Sequence, residues 1–335
     1  MTTVSRQKLS IVCPMRNEEE SVDPFLARVV PVLEAIPGLD YELVCVNDGS
    51  TDATLERLLR AQERNPAIRV VDLSRNFGKE AALTAGIDAA KGDAVVPIDV
   101  DLQDPPEVIP KLVERWREGF EVVLARRADR SSDGWFKRFS AGLFYRLHNS
   151  IADESIPEDV GDFRLLTRPV VEALRSLPER RRFMKGLFAW VGFHTATVEY
   201  VREARHAGGS KFNGWRLWNL AIEGVTSFST LPLRIWTYLG LIISAISLSY
   251  AAYILVRTLV QGVDVPGYAS LLVSILFLGG VQLIGMGVLG EYVGRLYQEA
   301  KQRPIYIVRA TYERAARGES GSVRPAVDPA AATDR

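Results

Sequence analysis

Two runs without a single charged residue, Ile235–Val256 and Val265–Gly290, constrain this chain more than any other feature. They hold 22 and 26 residues, and a helix needs about 20 apolar residues to cross a bilayer core. Two helices buried in a soluble core are the alternative, but core helices seldom run that far without a charge. The sequence therefore predicts a membrane hairpin over residues 234–292, with spans at about 235–256 and 267–290. Only Arg257–Asp264 joins the two runs. Arg205, Lys211, Arg216 and Arg234 precede them, and Arg295, Lys301, Arg303 and Arg309 follow. That bias places both flanks in the cytosol and the hairpin tip outside. Trp236, Tyr238, Tyr292 and Tyr297 stand near the run ends, as interfacial aromatics do.

Composition narrows the rest. The chain has 335 residues, with 41 Lys+Arg against 41 Asp+Glu. A formal charge of zero argues against a protein built mainly to grip nucleic-acid phosphates, which needs a basic surplus. An apolar fraction of 47% excludes a disordered chain. The polar start, Met1–Lys8, carries no apolar leader and predicts a cytosolic domain over residues 1–204. Residues 205–233 read as an interfacial amphipathic region, with Trp215, Trp218, Ile222 and Val225 on one face. Burial of that face under the cytosolic domain is the competing reading. Residues 293–335 read as a cytosolic segment ending in an Ala-, Gly-, Pro- and Ser-rich tail without structure. Cys13 and Cys45 fit buried, reduced thiols, and His148, His194 and His206 lack metal-ligand spacing.

Five β-branched runs recur at Leu9–Cys13, Tyr41–Asn47, Ile68–Leu73, Ala94–Ile98 and Glu121–Ala125. Amphipathic stretches separate them near Val22–Ile36, Asp52–Glu63, Lys79–Ala90 and Glu107–Glu118. Alternation at this spacing predicts an α/β fold with a parallel sheet and covering helices. Ligands of such sheets sit beyond the carboxyl ends of the strands, and the polar clusters fall there. They are Pro14-Met-Arg-Asn-Glu18, Asn47-Asp48-Gly49-Ser50-Thr51-Asp52 and Asp99-Val-Asp101-Leu-Gln103-Asp104. No G-x-G-x-x-G follows the first strand and no P-loop motif occurs, which removes the main support for dinucleotide and P-loop readings.

Asp99-x-Asp101 can hold a hard divalent cation, Mg²⁺ or Mn²⁺, whose remaining ligands are water and phosphate oxygens. It can equally be a helix cap before Pro105-Pro106. Asn47–Ser50 also suits a plain turn, and Glu18 a first-turn acid favoured by the helix dipole. Three such clusters at one rim favour the functional reading, because carboxylates there accept hydrogen bonds from ribose or a base.

Taken together, Pro14–Glu18, Asn47–Asp52, Arg75-Asn-Phe-Gly-Lys79, Asp99–Pro106, Gly161-Asp-Phe-Arg-Leu165 and Arg205-x-x-Gly208-x-Ser210-Lys211 resemble a known family. It is the family-two glycosyltransferases of the polyprenyl-phosphate type, which includes dolichyl-phosphate mannose synthases and bactoprenol glucosyltransferases. The resemblance covers roughly residues 8 to 310, and the hairpin is most similar to the bactoprenol branch. It implies a GT-A Rossmann-like nucleotide-sugar-binding domain. In it Pro14, Glu18 and Asp48 hold the nucleotide, and Asp99, Asp101 and Gln103 hold the metal with its diphosphate. Lys79 and Arg205 lie near the donor, although Lys79 is equally an ordinary exposed helix-start cation. Asp162 resembles the candidate catalytic carboxylate, whether as base or as a group that orients the acceptor. Arg16 and Asn47 depart from the family, which often has an aromatic residue and an Asp there.

The reaction so implied moves a hexose, glucose from UDP-glucose first among the choices, onto undecaprenyl phosphate with inversion. GDP-mannose or an amino-sugar donor, or a non-catalytic nucleotide-sugar-binding scaffold, are the other readings. The acceptor phosphate needs cations, and Arg126 with Arg127, Lys137 and Arg138 are the candidates. Phe136, Phe139, Leu143 and Leu147 beside them give a basic-edged amphipathic face, suited to a membrane surface or to packing on the sheet. The resemblance also implies a bacterial cytoplasmic-membrane location and a homo-oligomer, a tetramer.

Overall fold

The computed structural model describes residues 6–128, 160–180, 182, 184–201, 231–261, 267–313 and 323–325. The chain divides into two compact units, one carrying the sheet and one carrying two long helices.

In the sheet unit, the apolar runs form β1 (Gln7–Met15), β2 (Leu39–Asn47), β3 (Ile68–Leu73) and β4 (Ala94–Pro97). β1 pairs in parallel with both β2 and β4, and β2 with β3. All six residues of β3 and all four of β4 are buried, which explains why these strands read as continuous rather than alternating apolar runs. Between them lie α1 (Glu19–Glu34), α2 (Thr54–Arg64), α3 (Lys79–Ala89) and, after a 3₁₀ turn at Pro106–Val108, α4 (Ile109–Arg117). Gly86 lets α3 lie directly on the sheet, since a Cβ there would stand 2.3 Å from Val12 Cγ1. Because the chain winds β1–β2–β3 one way and then returns to β4 on the other side of β1, a crevice opens at the carboxyl ends of β1 and β4.

The sheet is mixed, which corrects the expectation of a parallel sheet throughout. Its order is β7-β5-β6-β4-β1-β2-β3-β8-β9. The run at Glu121–Ala125 does form β5 (Val122–Arg127), but β6 (Val160–Thr167) inserts antiparallel between β4 and β5. An apolar run reads the same in either direction, so periodicity carries no sign of this reversal. α5 (Arg168–Ser176), α6 (Met184–Trp190) and β7 (Thr195–Tyr200) follow. β8 (Val308–Tyr312) then pairs antiparallel with β3, and the short β9 (Val323–Pro325) pairs with β8 inside the expected unstructured tail. One sheet is thus built from chain on both sides of the membrane-type hairpin.

The helical unit contains α7 (Leu231–Gln261), which overruns the first expected span at both ends, and α8 (Tyr268–Ala300), which starts one residue inside the second and runs past its end. At 1.5 Å per residue both exceed the roughly 30 Å hydrocarbon core. Among the described residues, Phe277–Ala300 is long and apolar enough to cross a membrane, and none of it is buried within the protein. Leu283, Ile284 and Met286 are all more than 60% exposed. That exposure is unlike the burial of a soluble-core helix and fits a membrane-associating surface. The two helices meet where the Trp236 indole approaches Gly285.

Candidate active site

The crevice rim is assembled from loops that hold one another. Asn17, in the left-handed region at φ 53°, accepts the Thr51 N–H at Oδ1 (2.9 Å) and donates its own N–H to Ser50 Oγ (3.0 Å). Glu18 N–H donates to Thr54 Oγ1 (2.9 Å), and its carboxylate accepts from Ser21 Oγ (2.8 Å). Asp52 accepts from Glu19 N–H (3.2 Å) and from Thr54 Oγ1 (2.6 Å). Side chains of the β2–α2 loop therefore satisfy the otherwise unpaired first N–H groups of α1. Pro14, one residue before the end of β1, is paired with Val46.

At the end of β2, the Asn47 amide donates to Asp72 Oδ1 (2.7 Å) in the core, and Asn47 Oδ1 accepts from Ser50 N–H (3.3 Å). Asp48 is 2% exposed, and its two oxygens accept the N–H groups of Phe77 (2.7 Å) and Gly78 (3.0 Å). Gly49 is required beside it. Its φ is +59°, and a Cβ would stand 2.5 Å from the Arg75 carbonyl carbon. Asp48 thus fixes the loop that delivers Lys79 to the first turn of α3.

The antiparallel register of β6 brings the chemistry together. Ala94 pairs with Thr167 and Val95 with Leu166; continued four residues, this register sets Asp99 beside Asp162. Lys79 Nζ sits between them, 2.8 Å from Asp99 Oδ2 and 2.9 Å from Asp162 Oδ2. Asp162 is 15% exposed, and among the described residues its Oδ1 is buried without a hydrogen-bond partner. Asp101 Oδ1 accepts the Gln103 N–H (3.2 Å), and Leu102 between them has φ +56°. Tyr200 at the end of β7 donates its hydroxyl to Asp104, which anchors this loop from the opposite side.

Charge is unevenly shared. Burial raises the Asp99 carboxyl above its ordinary range, Lys79 opposes this, and the charges of Asp162 and Asp101 add to it. Burial also opposes ionisation of Asp162, but Lys79 and Lys185 overcome it and hold that carboxyl low. Lys79 in turn is raised, because Asp99 and Asp162 outweigh its loss of water. Glu80, next along α3, accepts the Met184 N–H at Oε2 (3.1 Å). Burial and the Asp162 charge push its carboxyl up to about 7.

Among the described residues no three His, Cys, Asp or Glu side chains gather as a metal-binding group. The donors present still fit a cation that takes one or two protein carboxylates and completes its shell with water and phosphate. Asp99 and Asp101 are hard oxygen donors, and among the described residues the nearby Asp162 Oδ1 is buried without a hydrogen-bond partner.

Of the acceptor candidates, Arg126 points to an exposed face and pairs with Glu199 at 3.5 Å. Its neighbour Arg127 turns to the other face, near Gly161 and within 3.5 Å of the Tyr200 hydroxyl. Lys137, Arg138 and Arg205 lie outside the described residues. Sequence reasoning missed Glu80 and Lys185. The run Arg180-Arg-Arg-Phe-Met-Lys185 was the available signal for the second. A cleft of about 530 Å³ between α1 and α4 is lined by Val32, Ile36 and Val113, at the end of α1 away from the rim.

Residues 10–175 match the profile of glycosyl transferase family 2, and residues 231–296 match the GtrB C-terminal hairpin. The SfII prophage-derived bactoprenol glucosyl transferase of Shigella flexneri is 56% identical over 305 residues, 91% of this chain and 98% of that one. The chain belongs to glycosyl transferase family 2. An uncharacterized glycosyltransferase of Synechocystis is 55% identical over 90% of this chain and 94% of its own length. The Mn²⁺–UDP-glucose–phosphoglyceric acid complex of glucosyl-3-phosphoglycerate synthase from Mycobacterium tuberculosis overlaps 66% of this chain and 79% of that one. Its TM-score is 0.47 at 22% identity. As a family-two enzyme of GT-A-like fold, the protein is a glycosyltransferase with a membrane-associating hairpin.

Proposed function

We propose that this glycosyltransferase moves glucose from UDP-glucose to the phosphate of a polyprenyl lipid, inverting the anomeric centre. The observation that carries the reading is full-length similarity above 50% to enzymes named bactoprenol glucosyl transferase, hairpin included. The rim geometry supports it. Pro14, Glu18 and the loop held by Asp48 line the nucleotide side. In this reading Asp99, Asp101 and Gln103 face the leaving diphosphate and Lys79 is a donor-side cation; Arg205, outside the described residues, is assigned beside it by resemblance alone. A divalent ion held by Asp99 and Asp101 would act there as a Lewis acid for charge growing on the leaving diphosphate.

Asp162 lies one strand further along, on the acceptor side. A phosphate monoester is already anionic near neutral pH, so Asp162 needs only to orient it or take its residual proton. Holding donor and acceptor in line supplies much of the remaining advantage. Arg126, Lys137 and Arg138 are the candidates for drawing the headgroup to the membrane-facing edge.

The reading extends to topology. β7 and β8 belong to one sheet, which is consistent with an even number of crossings between them. With the cationic flanks this supports a cytosolic sheet unit at a bacterial inner membrane.

The test is to incubate membranes containing the protein with labelled UDP-glucose, GDP-mannose or UDP-N-acetylglucosamine and undecaprenyl phosphate. A labelled organic-phase product from UDP-glucose, abolished by EDTA and by Asp101→Ala, is expected. Product from another donor alone would replace the glucose assignment, and no lipid product from any donor would overturn the reaction.

A further inference from the structure

Lys185 occupies a position that the reaction as described leaves unused. It lies in the first turn of α6, a short helix fastened at both ends. At one end Met184 is fully buried, its N–H donates to Glu80 Oε2, and its sulfur accepts from Thr84 Oγ1 (3.7 Å). At the other, the Phe188 ring lies 4.3 Å under the guanidinium of Arg164. Arg164 is two residues from Asp162 on β6, and Glu80 is next to Lys79 on α3. α6 is therefore pinned onto the two elements that carry the Asp162–Lys79 pair, with Lys185 held between the pins.

The neighbouring cations are already committed. Arg182 donates to the Leu177 carbonyl (2.9 Å), and Lys79 is divided between two carboxylates. Among the described residues Lys185 makes no direct ion pair or hydrogen bond, although its side chain is only partly exposed. Its charge is nonetheless felt at both Asp162 and Glu80, which it favours in their ionised forms. A second observation points to a ligand here: on Asp162, whose charge Lys185 reaches, the buried Oδ1 has no hydrogen-bond partner among the described residues. A monoprotonated phosphate supplies both complements, an O–H for that oxygen and anionic oxygens for an ammonium.

The order of elements selects which phosphate. Across the rim come the nucleotide loops of β1 and β2, then Asp99 and Asp101 after β4, then Asp162 on β6, over which α6 packs through Phe188 and Arg164. In-line displacement puts the attacking and leaving oxygens on opposite sides of the anomeric carbon. If the diphosphate departs on the β4 side, the attacking oxygen enters from the α6 side. We infer that Lys185 is an acceptor-binding residue, seating the phosphate monoester of the lipid headgroup beside Asp162. This rests on the polyprenyl-phosphate reading above.

The experiment compares wild type, Lys185→Ala and Lys185→Arg in detergent micelles. It measures KM and kcat for undecaprenyl phosphate, the UDP-glucose dissociation constant, thermal stability, and inhibition by inorganic phosphate. Loss of one charge-assisted contact predicts a KM for the lipid raised roughly tenfold to hundredfold in Lys185→Ala. UDP-glucose binding and the melting temperature should hold, and Lys185→Arg should restore most of the KM. An unchanged KM in an active enzyme overturns the inference. So does a drop in stability and donor affinity that tracks the KM, since Lys185 would then only balance Glu80 and Asp162. A change confined to inhibition by inorganic phosphate would assign the site to free phosphate and overturn the lipid assignment. Absence of lipid glucosylation by the wild type would instead sink the underlying reaction.

Discussion

Asp99, two residues beyond β4, and Asp162, on the antiparallel strand β6, share the single ammonium of Lys79. Two carboxylates that close do not both stay ionised without a cation between them. Lys79 therefore does more than an ordinary helix-start cation would: its ammonium favours the ionised forms of both acids while no substrate is bound.

Replacing Lys79 by Met removes that charge without removing the side chain's bulk. One of the two carboxyls should then take up a proton at neutral pH, and kcat should fall by about a hundredfold or more, the scale on which a preorganised polar group acts. Added Mn²⁺ should raise the melting temperature more in Lys79→Met than in wild type, because the ion then supplies the missing positive charge. Turnover assays and thermal melts with and without Mn²⁺ check both statements. Wild-type-like turnover would remove Lys79 from the site.

At Asn47 the resemblance implies an Asp, and the partner of this side chain explains the amide. Its amide donates to Asp72, and both residues are at most 2% exposed. In Asn47→Asp two carboxylates would meet in the core, with Arg309 at 3.6 Å from Asp72 as partial compensation. The variant should lose about 2–4 kcal/mol at pH 8, in the range seen when a buried polar pair is broken. The new carboxyl would have a raised folded-state pKa. The penalty should therefore be fully present above that pKa and shrink as pH falls toward 5. Urea unfolding at the two pH values measures this, and a pH-independent change would contradict the pairing.

The sequence made the nucleotide half legible because its strands are short apolar runs and its helices are amphipathic. β1 to β4 and α1 to α4 fall within a few residues of their expected limits. Asp162 was visible only through family resemblance, because nothing local tells that β6 runs backwards and so starts at the rim where β4 ends. Lys79 stayed ambiguous for the same reason, since its meaning lies in a carboxylate about eighty residues away. β8 was hidden by its position after the hairpin, where Val-Arg-Ala-Thr-Tyr looks like the start of a tail. Glu80 reads as a solvated first-turn acid until the Met184 N–H is seen to bind it.

Glu80 gives stability a pH dependence of unusual sign. Its folded carboxyl titrates near 7 against an ordinary 4.5. Below about 4.5 it is protonated in both states and contributes nothing. As pH rises from there to 7, the folded state holds the extra proton, so stability falls with pH. Glu80→Gln keeps an oxygen for the Met184 N–H and removes the titration. It should be more stable than wild type at pH 8 by on the order of 2 kcal/mol, with the difference vanishing near pH 4.5. Melts across that range test it, and a difference that grows toward acid pH would reverse the assignment.

Because β8 follows the hairpin, deleting the membrane segment by truncation removes more than the membrane segment. The returning chain is fastened to the sheet unit by Tyr306, which donates to Asp88 (2.8 Å). Arg309 adds a donation to the Ser74 carbonyl (2.6 Å) and Glu313 an ion pair with Arg69 (3.2 Å). A chain ending near residue 230 loses all three and leaves the edge of β3 unpaired, an aggregation-prone state. Replacing residues 231–300 by a flexible linker keeps them. The linker variant should fold, bind UDP-glucose as wild type does, and lose most activity toward undecaprenyl phosphate in vesicles. A water-soluble short-chain prenyl phosphate should recover much of that activity, because the hairpin's task is to bring a bilayer-bound headgroup within reach. The truncated chain should instead lose UDP-glucose binding as well. Equal loss of donor binding and lipid transfer in a folded linker variant would mean that the hairpin shapes the donor site itself.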